Sequence, residues 1–382
     1  MQKRQKIGRL VLCAGLYVLA TACFNHAARA NEKVEKPSYW LSRGYVAITP
    51  QRNPALLTLP VLGETPAWPA HSLSWPVEFE DTEHSIGNSM AEFQSYGDGP
   101  YYHGGCDLRV SKGAAVHSPI AGRIEAGHYG YSDQADGSMQ KFWYPWPKSG
   151  DEHYFEVAVV TDDGYRFEFH HMNENQLAPQ VLAILKEGKG GKLEAGALLG
   201  NTIAWPDGVY HHTHYNILTP SLVQLNPEYY SPLLADHEKP EISKVVVSFK
   251  GGRTENFGAG TFSETPEFFA LAVIDHLDND VYDHPPVYAG IQFDSGKSFA
   301  WDFRERLVGP DGKFPSLWSF FVESIQSPEG NTLSTEGGYG QGVSVVRVPV
   351  PAGATGRFTL RIADQAGNAT ELVGSVGPSI LH

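Results

Sequence analysis

The chain has 382 residues, 41% hydrophobic, 12% aromatic and 19% charged, enough for two domains that each bury a core and too aromatic for a solvating, uncollapsed chain. Lys and Arg number 29 against 43 Asp and Glu, a formal charge of −14, which argues against nucleic acid as a partner. With 40 Gly, 26 Pro and many Tyr, Phe and Val, short strands and tight turns are expected rather than long helices.

Residues 1–30 read as a secretory signal. Lys3, Arg4, Lys6 and Arg9 precede an apolar run from Leu10 to Ala22, shorter than the ~20 residues of a membrane span. Ala28-Arg29-Ala30 then offers a small-x-small cleavage pattern. Leu19-Ala20-Thr21-Ala22-Cys23 approximates a lipoprotein box, and an uncleaved anchor is the third option. Membrane attachment is expected only if Cys23 is lipidated. Each option takes the protein out of the cytoplasm, to the periplasm, cell envelope or medium. Cleavage after Ala30 leaves Cys106 as the one cysteine, so no intramolecular disulfide is available.

Residues 31–83 carry seven prolines and read as an extended lead-in with one or two edge strands. A second unit spans 84–238. In it Tyr154–Val160 and Tyr165–His171, joined across Asp162-Asp163-Gly164, predict a hairpin, and 177–186 predicts a short helix. The aromatic stretch Met139–Pro147 is read either as a loop that walls a substrate groove or as a self-packed surface hairpin. A third unit, 239–382, has strands expected at 244–249, 268–274, 287–293, 343–350, 357–362 and 369–373, the spacing of a β-sandwich. The fold class is therefore mainly β.

Nine of the 16 histidines lie between His103 and His214, in three patterns. His103-Gly104-Gly105-Cys106-Asp107 places His and Asp four apart around a glycine turn, where both can converge on a metal. His212-Thr213-His214 puts two imidazoles on one face of a strand, with His211 and Thr213 on the other. Phe169-His170-His171-Met172 ends the predicted hairpin. A control, His276-Leu277-Asp278-Asn279-Asp280, shares the first spacing and reads as a polar turn. A calcium site from Asp275, Asp278, Asp280 and Asp283 is the weaker alternative there, since the spacing fits no standard calcium loop.

His-x-Gly-x-Asp, then apolar-x-His-apolar, then His-x-His, in this order, resembles the lysostaphin-like (LytM-type) zinc endopeptidases. Gly113–Gly122 and the glycine-punctuated stretch Gly191–Gly200 look like that family's linking segments. The resemblance covers about residues 84–220 and stops before the third unit. It implies an antiparallel β-sheet zinc peptidase domain, here followed by an immunoglobulin-like β-sandwich. It also implies Zn²⁺ held by His103, Asp107 and His214, with His171 and His212 as catalytic histidines and His170 as a neighbour pointing away. The implied substrates are stem or cross-bridge peptides of bacterial peptidoglycan. The rivals are an exported zinc endopeptidase acting on proteins, and a non-catalytic scaffold that activates another wall hydrolase. Asn216, Thr213 and Phe169 depart from the family's common residues, which touches tuning around the metal rather than the metal itself. Tyr96, Tyr101 and Tyr102 are candidates for a tyrosine near the oxyanion, and the lead-in is a candidate cover for the groove.

Overall fold

The computed structural model describes residues 37–48, 65–79, 85–95, 100–133, 139–188, 191–206, 208–278, 282–335 and 343–377. The expected signal segment with Cys23, parts of the lead-in, and Tyr96 lie outside the described residues. The chain is mainly β, in antiparallel sheets with one parallel pairing. Among the described residues no helix is long and apolar enough to cross a membrane.

In chain order the first fifteen strands are β1 (Val46–Ile48), β2 (Ile86–Asn88), β3 (Phe93–Gln94), β4 (Tyr101–Tyr102), β5 (Cys106–Arg109), β6 (Ala115–His117), β7 (Gly122–Asp133), β8 (Met139–Pro145), β9 (Phe155–Val160), β10 (Arg166–Phe169), β11 (Met172–Leu177), β12 (Lys192–Leu193), β13 (Leu198–Thr202), β14 (His212–Leu218) and β15 (Gln224–Leu225). The large sheet orders them β1-β8-β7-β9-β10-β14-β5-β2, and β11-β13-β6 form a second sheet. Phe155, Val157, Val159, Phe167, Phe169, Tyr215 and Ile217 bury one face of the large sheet in a core closed by Val181 of a helix over Pro179–Glu187. Pro179 at the first turn and Gly188, left-handed at the end, delimit that helix.

Of the two readings of the aromatic stretch the hairpin holds in part: Met139–Pro145 is strand β8, antiparallel to β7 on one side, but β1 covers its other edge. Its side chains face two covered surfaces. Phe142 is stacked by Trp40 of a short helix, Pro37–Ser42, while Lys141 and Trp143 are buried on the other side beneath Arg166. A buried lysine interrupts the apolar run, which hid the strand. Trp143 is therefore interior and walls no groove. Trp40 lies so close to Gly130 on β7 that an added Cβ would stand 2.4 Å from its ring. A glycine is required there.

From Glu241 the chain forms β16 (Glu241–Ser248), β17 (Thr254–Asn256), β18 (Thr261–Phe262), β19 (Phe268–Ile274), β20 (Tyr288–Phe293), β21 (Ser298–Asp302), a small hairpin β22 (Ser324–Gln326) and β23 (Thr332–Ser334), then β24 (Ser344–Pro349), β25 (Gly356–Ala363) and β26 (Ala369–Val376). Sheets β17-β16-β19-β24 and β18-β26-β25-β20-β21 enclose Val247, Phe269, Leu271, Ile291, Phe358 and Leu360. This is a two-sheet sandwich.

The sandwich core takes in Met90, Ala91, Phe93 and Tyr102 from the other part of the chain. The hairpin β3–β4 is thus planted among Phe314, Trp318, Phe320 and Phe321. The Tyr102 hydroxyl donates to the Ser316 carbonyl at 3.2 Å. That turns Tyr102 away from the histidines and removes it from the oxyanion candidates. Tyr102→Ala is expected to destabilise the protein by about 3–5 kcal/mol in urea unfolding, as large buried rings do when truncated.

Candidate metal centre

Asp107 on β5 is the direct cross-strand partner of His214 on β14, so both side chains rise from the same face. His103 reaches them from the loop between β4 and β5. In that loop Gly105 has φ +72°, and a Cβ there would stand 2.2 Å from both the Asn216 Oδ1 and the Tyr215 carbonyl. Only glycine makes this turn. His103 Nε2, His214 Nδ1 and Asp107 Oδ1 then lie 3.0, 2.8 and 3.3 Å apart: His103–His214, His214–Asp107 and His103–Asp107 in turn.

The three donors fit a zinc ion. A tetrahedral site with bonds of ~2.0–2.1 Å has donor–donor edges of about 3.3 Å, and two imidazoles with one carboxylate are a normal donor set. Each histidine has its far nitrogen held by an oxygen, which fixes the tautomer that leaves the inner nitrogen free. His103 Nδ1 donates to the Ser89 carbonyl at 3.0 Å, and His214 Nε2 donates to Asn216 Oδ1 at 3.2 Å. Burial pulls His214 down to about 4, so its imidazole is neutral at pH 7. Burial pulls His103 the same way, but the Asp107 carboxylate outweighs it and the net direction is up. Asp107 itself is pushed up by burial and pulled harder down by His103 and His212, ending well below the usual carboxylate range.

His171 and His212 stand beside this trio, ring centroids 4.6 Å apart. His212 Nε2 is 3.9 Å from Asp107 Oδ1. Both rings are oriented from behind: His171 Nδ1 donates to the His153 carbonyl at 2.8 Å, and His212 Nδ1 to the Tyr210 carbonyl at 2.9 Å. Burial, reinforced by His212, holds His171 well below the ordinary imidazole value. His171 also has φ +58°, a conformation unfavourable for a residue with a Cβ and characteristic of functional positions. That backbone reversal sends His170 and His171 to different environments.

His170 faces a buried charge network. Its Nε2 lies 3.0 Å from Glu156 and 3.3 Å from Glu168. Lys141 pairs with both carboxylates, and Arg166 pairs with Glu156, Glu168 and Glu125. Glu156, Glu168 and His170 could group around a metal by distance alone. Lys141 and Arg166 already neutralise them. Asn216 joins this network to the trio, donating from Nδ2 to Glu168 Oε2 at 3.1 Å while accepting from His214.

Three groups escaped the sequence reading. Trp205 lies over His171 and His212, at 4.5 and 5.1 Å between centroids, placed by its backbone N–H donating to His211 Nδ1. The Tyr210 hydroxyl donates to Asn88 Oδ1 at 2.6 Å and lies 3.3 Å from Asp107 Oδ2. Glu92, pushed up to about 8 by burial, takes a hydrogen bond from Asn88 Nδ2. None stands in a recognisable local pattern; only the order of the three histidine motifs was legible.

No known family's sequence profile matches the chain, and no curated protein matches it. Among solved structures it is similar to the SpoIIQ–SpoIIIAH pore-forming complex, at 16% identity over 42% of this chain and 92% of that one, TM-score 0.29. It is also similar to the antimicrobial peptidase lysostaphin from Staphylococcus simulans, at 11% identity over 79% and 99%, TM-score 0.26. A solution structure of lysostaphin gives 13% identity over 71% and 98%, TM-score 0.28. At these identities and scores the likenesses carry no argument.

Three outcomes follow from the network. Asn216→Ala is expected to weaken zinc affinity about 10–100-fold in a chelator competition, as loss of an outer partner of a ligating histidine does. Lys141→Met strands two buried carboxylates and is expected to cost about 3–5 kcal/mol in urea unfolding. Glu156 and Glu168 are pushed up by burial and held below their ordinary value by the cations facing them. Their stabilisation is therefore present above the unfolded value of ~4.3 and lost as pH falls below it. A loss of stability below about pH 4 that is smaller in Lys141→Met would show this.

Proposed function

We propose that the protein is an exported zinc-dependent endopeptidase hydrolysing amide bonds in the peptide part of bacterial peptidoglycan. The observation that carries the reading is the convergence of His103, Asp107 and His214 with two further oriented imidazoles beside them. Three protein ligands leave one position open, the mark of a catalytic rather than a structural site. Bound there, zinc supplies a Lewis acid for the scissile carbonyl and lowers the pKa of water toward ~7.

The chain's own residues do the rest. With Nδ1–H committed to a backbone carbonyl, His171 and His212 each present Nε2 to the site. A neutral imidazole there accepts the proton of the attacking water, and once protonated it delivers that proton to the leaving amine. The second imidazole donates to the developing oxyanion from Nε2 in its doubly protonated form, since its Nδ1–H is already committed to a backbone carbonyl. Trp205 packs over both rings, excluding water and restricting them to one orientation. Peptidoglycan rather than protein is favoured by the order of the three histidine motifs and their glycine-rich linking segments.

The test is digestion of purified sacculi by the mature protein, with the released muropeptides identified by mass. Stem or cross-bridge fragments are expected, absent after chelation and in His214→Ala. His171→Ala is expected to keep its zinc while losing about 10²–10⁴ in turnover. A folded, zinc-loaded protein that releases nothing would overturn the proposal. Cleavage of casein instead would assign a protein substrate, and cleavage of neither would assign the scaffold role.

A further inference from the structure

Arg109 stands outside the three histidine patterns, yet the sheet delivers it to the same site. It ends β5 and is the direct cross-strand partner of His212 on β14. Residues two apart on a strand share a face, so its side chain rises on the side of Asp107, His212 and His214. The opposite side of β5, with Cys106 and Leu108, lies in the core. The guanidinium rests among two tyrosines, its Cζ 5.5 Å from the ring centre of Tyr210 and 4.8 Å from that of Tyr282. The Tyr210 ring in turn meets His212 at 4.7 Å between centroids. One ring therefore separates Arg109 from an imidazole of the proposed chemistry.

The charge of this arginine is accommodated, but its donors are not. Nε and Nη1 are buried without a hydrogen-bond partner, and the residue as a whole is half-buried. Aromatic rings attract the cation and offer no oxygen to its five N–H groups. Among the described residues no carboxylate pairs with it, because the acids on neighbouring elements are taken. Asp107 turns Oδ1 to His103 and His214 and has the Tyr210 hydroxyl 3.3 Å from Oδ2. Glu92 is held by Asn88 Nδ2 and by the Ser89 amide. Around Tyr282, Asp278 pairs with His237 at 2.6 Å and Asp283 with His276 at 3.3 Å. Among the described residues Asp275, Asp278 and Asp283 do not group within reach of one metal ion. Asp280 lies outside the described residues, so the calcium alternative finds no support there.

Buried donors left unmet are costly. An arginine is a permanent cation whose planar fork matches a carboxylate, which accepts two parallel N–H bonds. Nη2 is not enclosed as Nε and Nη1 are, so a carboxylate arriving at Nη2 meets one of the unmet nitrogens beside it.

We infer that Arg109 anchors a free carboxylate of the peptide substrate and makes the site selective for it over the corresponding carboxamide. The inference rests on the peptidase reading proposed above and adds the substrate's charge to it. Two residues of strand, roughly 7 Å, separate Arg109 from Asp107, and one extended peptide residue spans up to ~3.6 Å. The anchored carboxylate therefore lies within about two residues of the amide held at the donor trio. In a chain of formal charge −14, a cation beside the donors also offsets the repulsion that an anionic peptide meets.

The experiment uses the whole mature chain loaded with zinc. Its substrates are purified sacculi, and sacculi whose free carboxylates have been converted to carboxamides with a carbodiimide and ammonium chloride. The parent is expected to release fragments about 10–100-fold more slowly from the amidated wall, the worth of a charge-assisted hydrogen bond. Amidation leaves the wall less anionic, which favours approach of an acidic protein, so bulk charge would act in the opposite direction. Arg109→Gln is expected to fall by the same factor on native sacculi, to keep its zinc, and to cut both walls at similar rates. Arg109→Lys keeps the charge without the fork and is expected to retain part of the discrimination. A purely structural arginine, tying Tyr210 to Tyr282, would on removal lower both rates together and leave their ratio as in the parent. The cleaved fragment, resynthesised with one carboxamide at a time, is expected to slow only where the carboxamide lies within about two residues of the bond. That series also tells a chain-terminal carboxylate from a side-chain one.

Sedimentation with the two kinds of sacculi reads the same contrast without turnover. A parent that cuts neither wall, yet sediments more with the native one unless Arg109 is replaced, would end the peptidase reading and keep the anchor. Equal cleavage of the two walls by the parent would overturn the inference, as would equal sedimentation in a protein that cuts neither. Discrimination undiminished in Arg109→Gln would overturn it as well.

Discussion

The register of β5 against β14 is the constraint on which the site depends. Asp107 is opposite His214, and His212 is opposite Arg109. Residues two apart on β14 share a face, so His212 and His214 are committed to the side where Asp107 rises. A slip of one residue would carry all of them to the other face. The register is held by what lies on the opposite side, where Cys106, Leu108, Tyr215 and Ile217 are buried in the core. Apolar packing on one face therefore decides where donor atoms lie on the other, before any metal arrives.

Behind the donors the protein has buried charge rather than hydrocarbon. Lys141, Arg166, Glu125, Glu156, Glu168 and His170 form one connected set on adjacent strands. Such networks are weak sources of net stability because desolvation offsets most of the attraction. Their use here is directional. Glu168 holds Asn216, Asn216 holds the outer nitrogen of His214, and the inner nitrogen is left as a ligand atom. An amide is what touches His214 here, so the negative charge sits one residue further back, on Glu168, shared with a lysine and an arginine. That arrangement orients the histidine without adding charge next to the three donor atoms.

The sequence disclosed the strands best where one face is plainly apolar. Phe268–Ile274 runs as expected, and the hairpin around Gly164 follows from Asp162-Asp163-Gly164 between two alternating runs. It was undecided between loop and hairpin at β8, where a lysine inside the sheet interrupts the hydrophobic pattern and its compensation comes from Glu156 and Glu168, 15 and 27 residues away. The histidine motifs were legible because their spacing reports local geometry: i and i+2 on a strand, or two residues flanking a glycine turn. Trp205, Tyr210 and Glu92 were not, since each acts through contacts between segments far apart in the chain. The charges that face a buried carboxyl group decide the direction of its shift, and no local pattern reports them. Glu92 and Glu168 look alike in the sequence and are shifted in opposite directions.

The sandwich is part of the site's support rather than an appendage. Tyr102 and Phe93 are held in its core, and His103 is the next residue after Tyr102. The loop that delivers His103 is therefore anchored at its start by the sandwich and at its end by β5. Ser89 strengthens the link: its carbonyl accepts from His103 Nδ1 while its hydroxyl meets His284 of the sandwich at 2.7 Å. Moving the sandwich by an ångström would move His103 against Asp107 and His214, whose spacing tolerates only a few tenths for zinc. The connection between the two parts has to be stiff for the same reason. Asn368 of the sandwich helps to hold it, its side-chain Nδ2 donating to the Asp236 carbonyl at 3.1 Å.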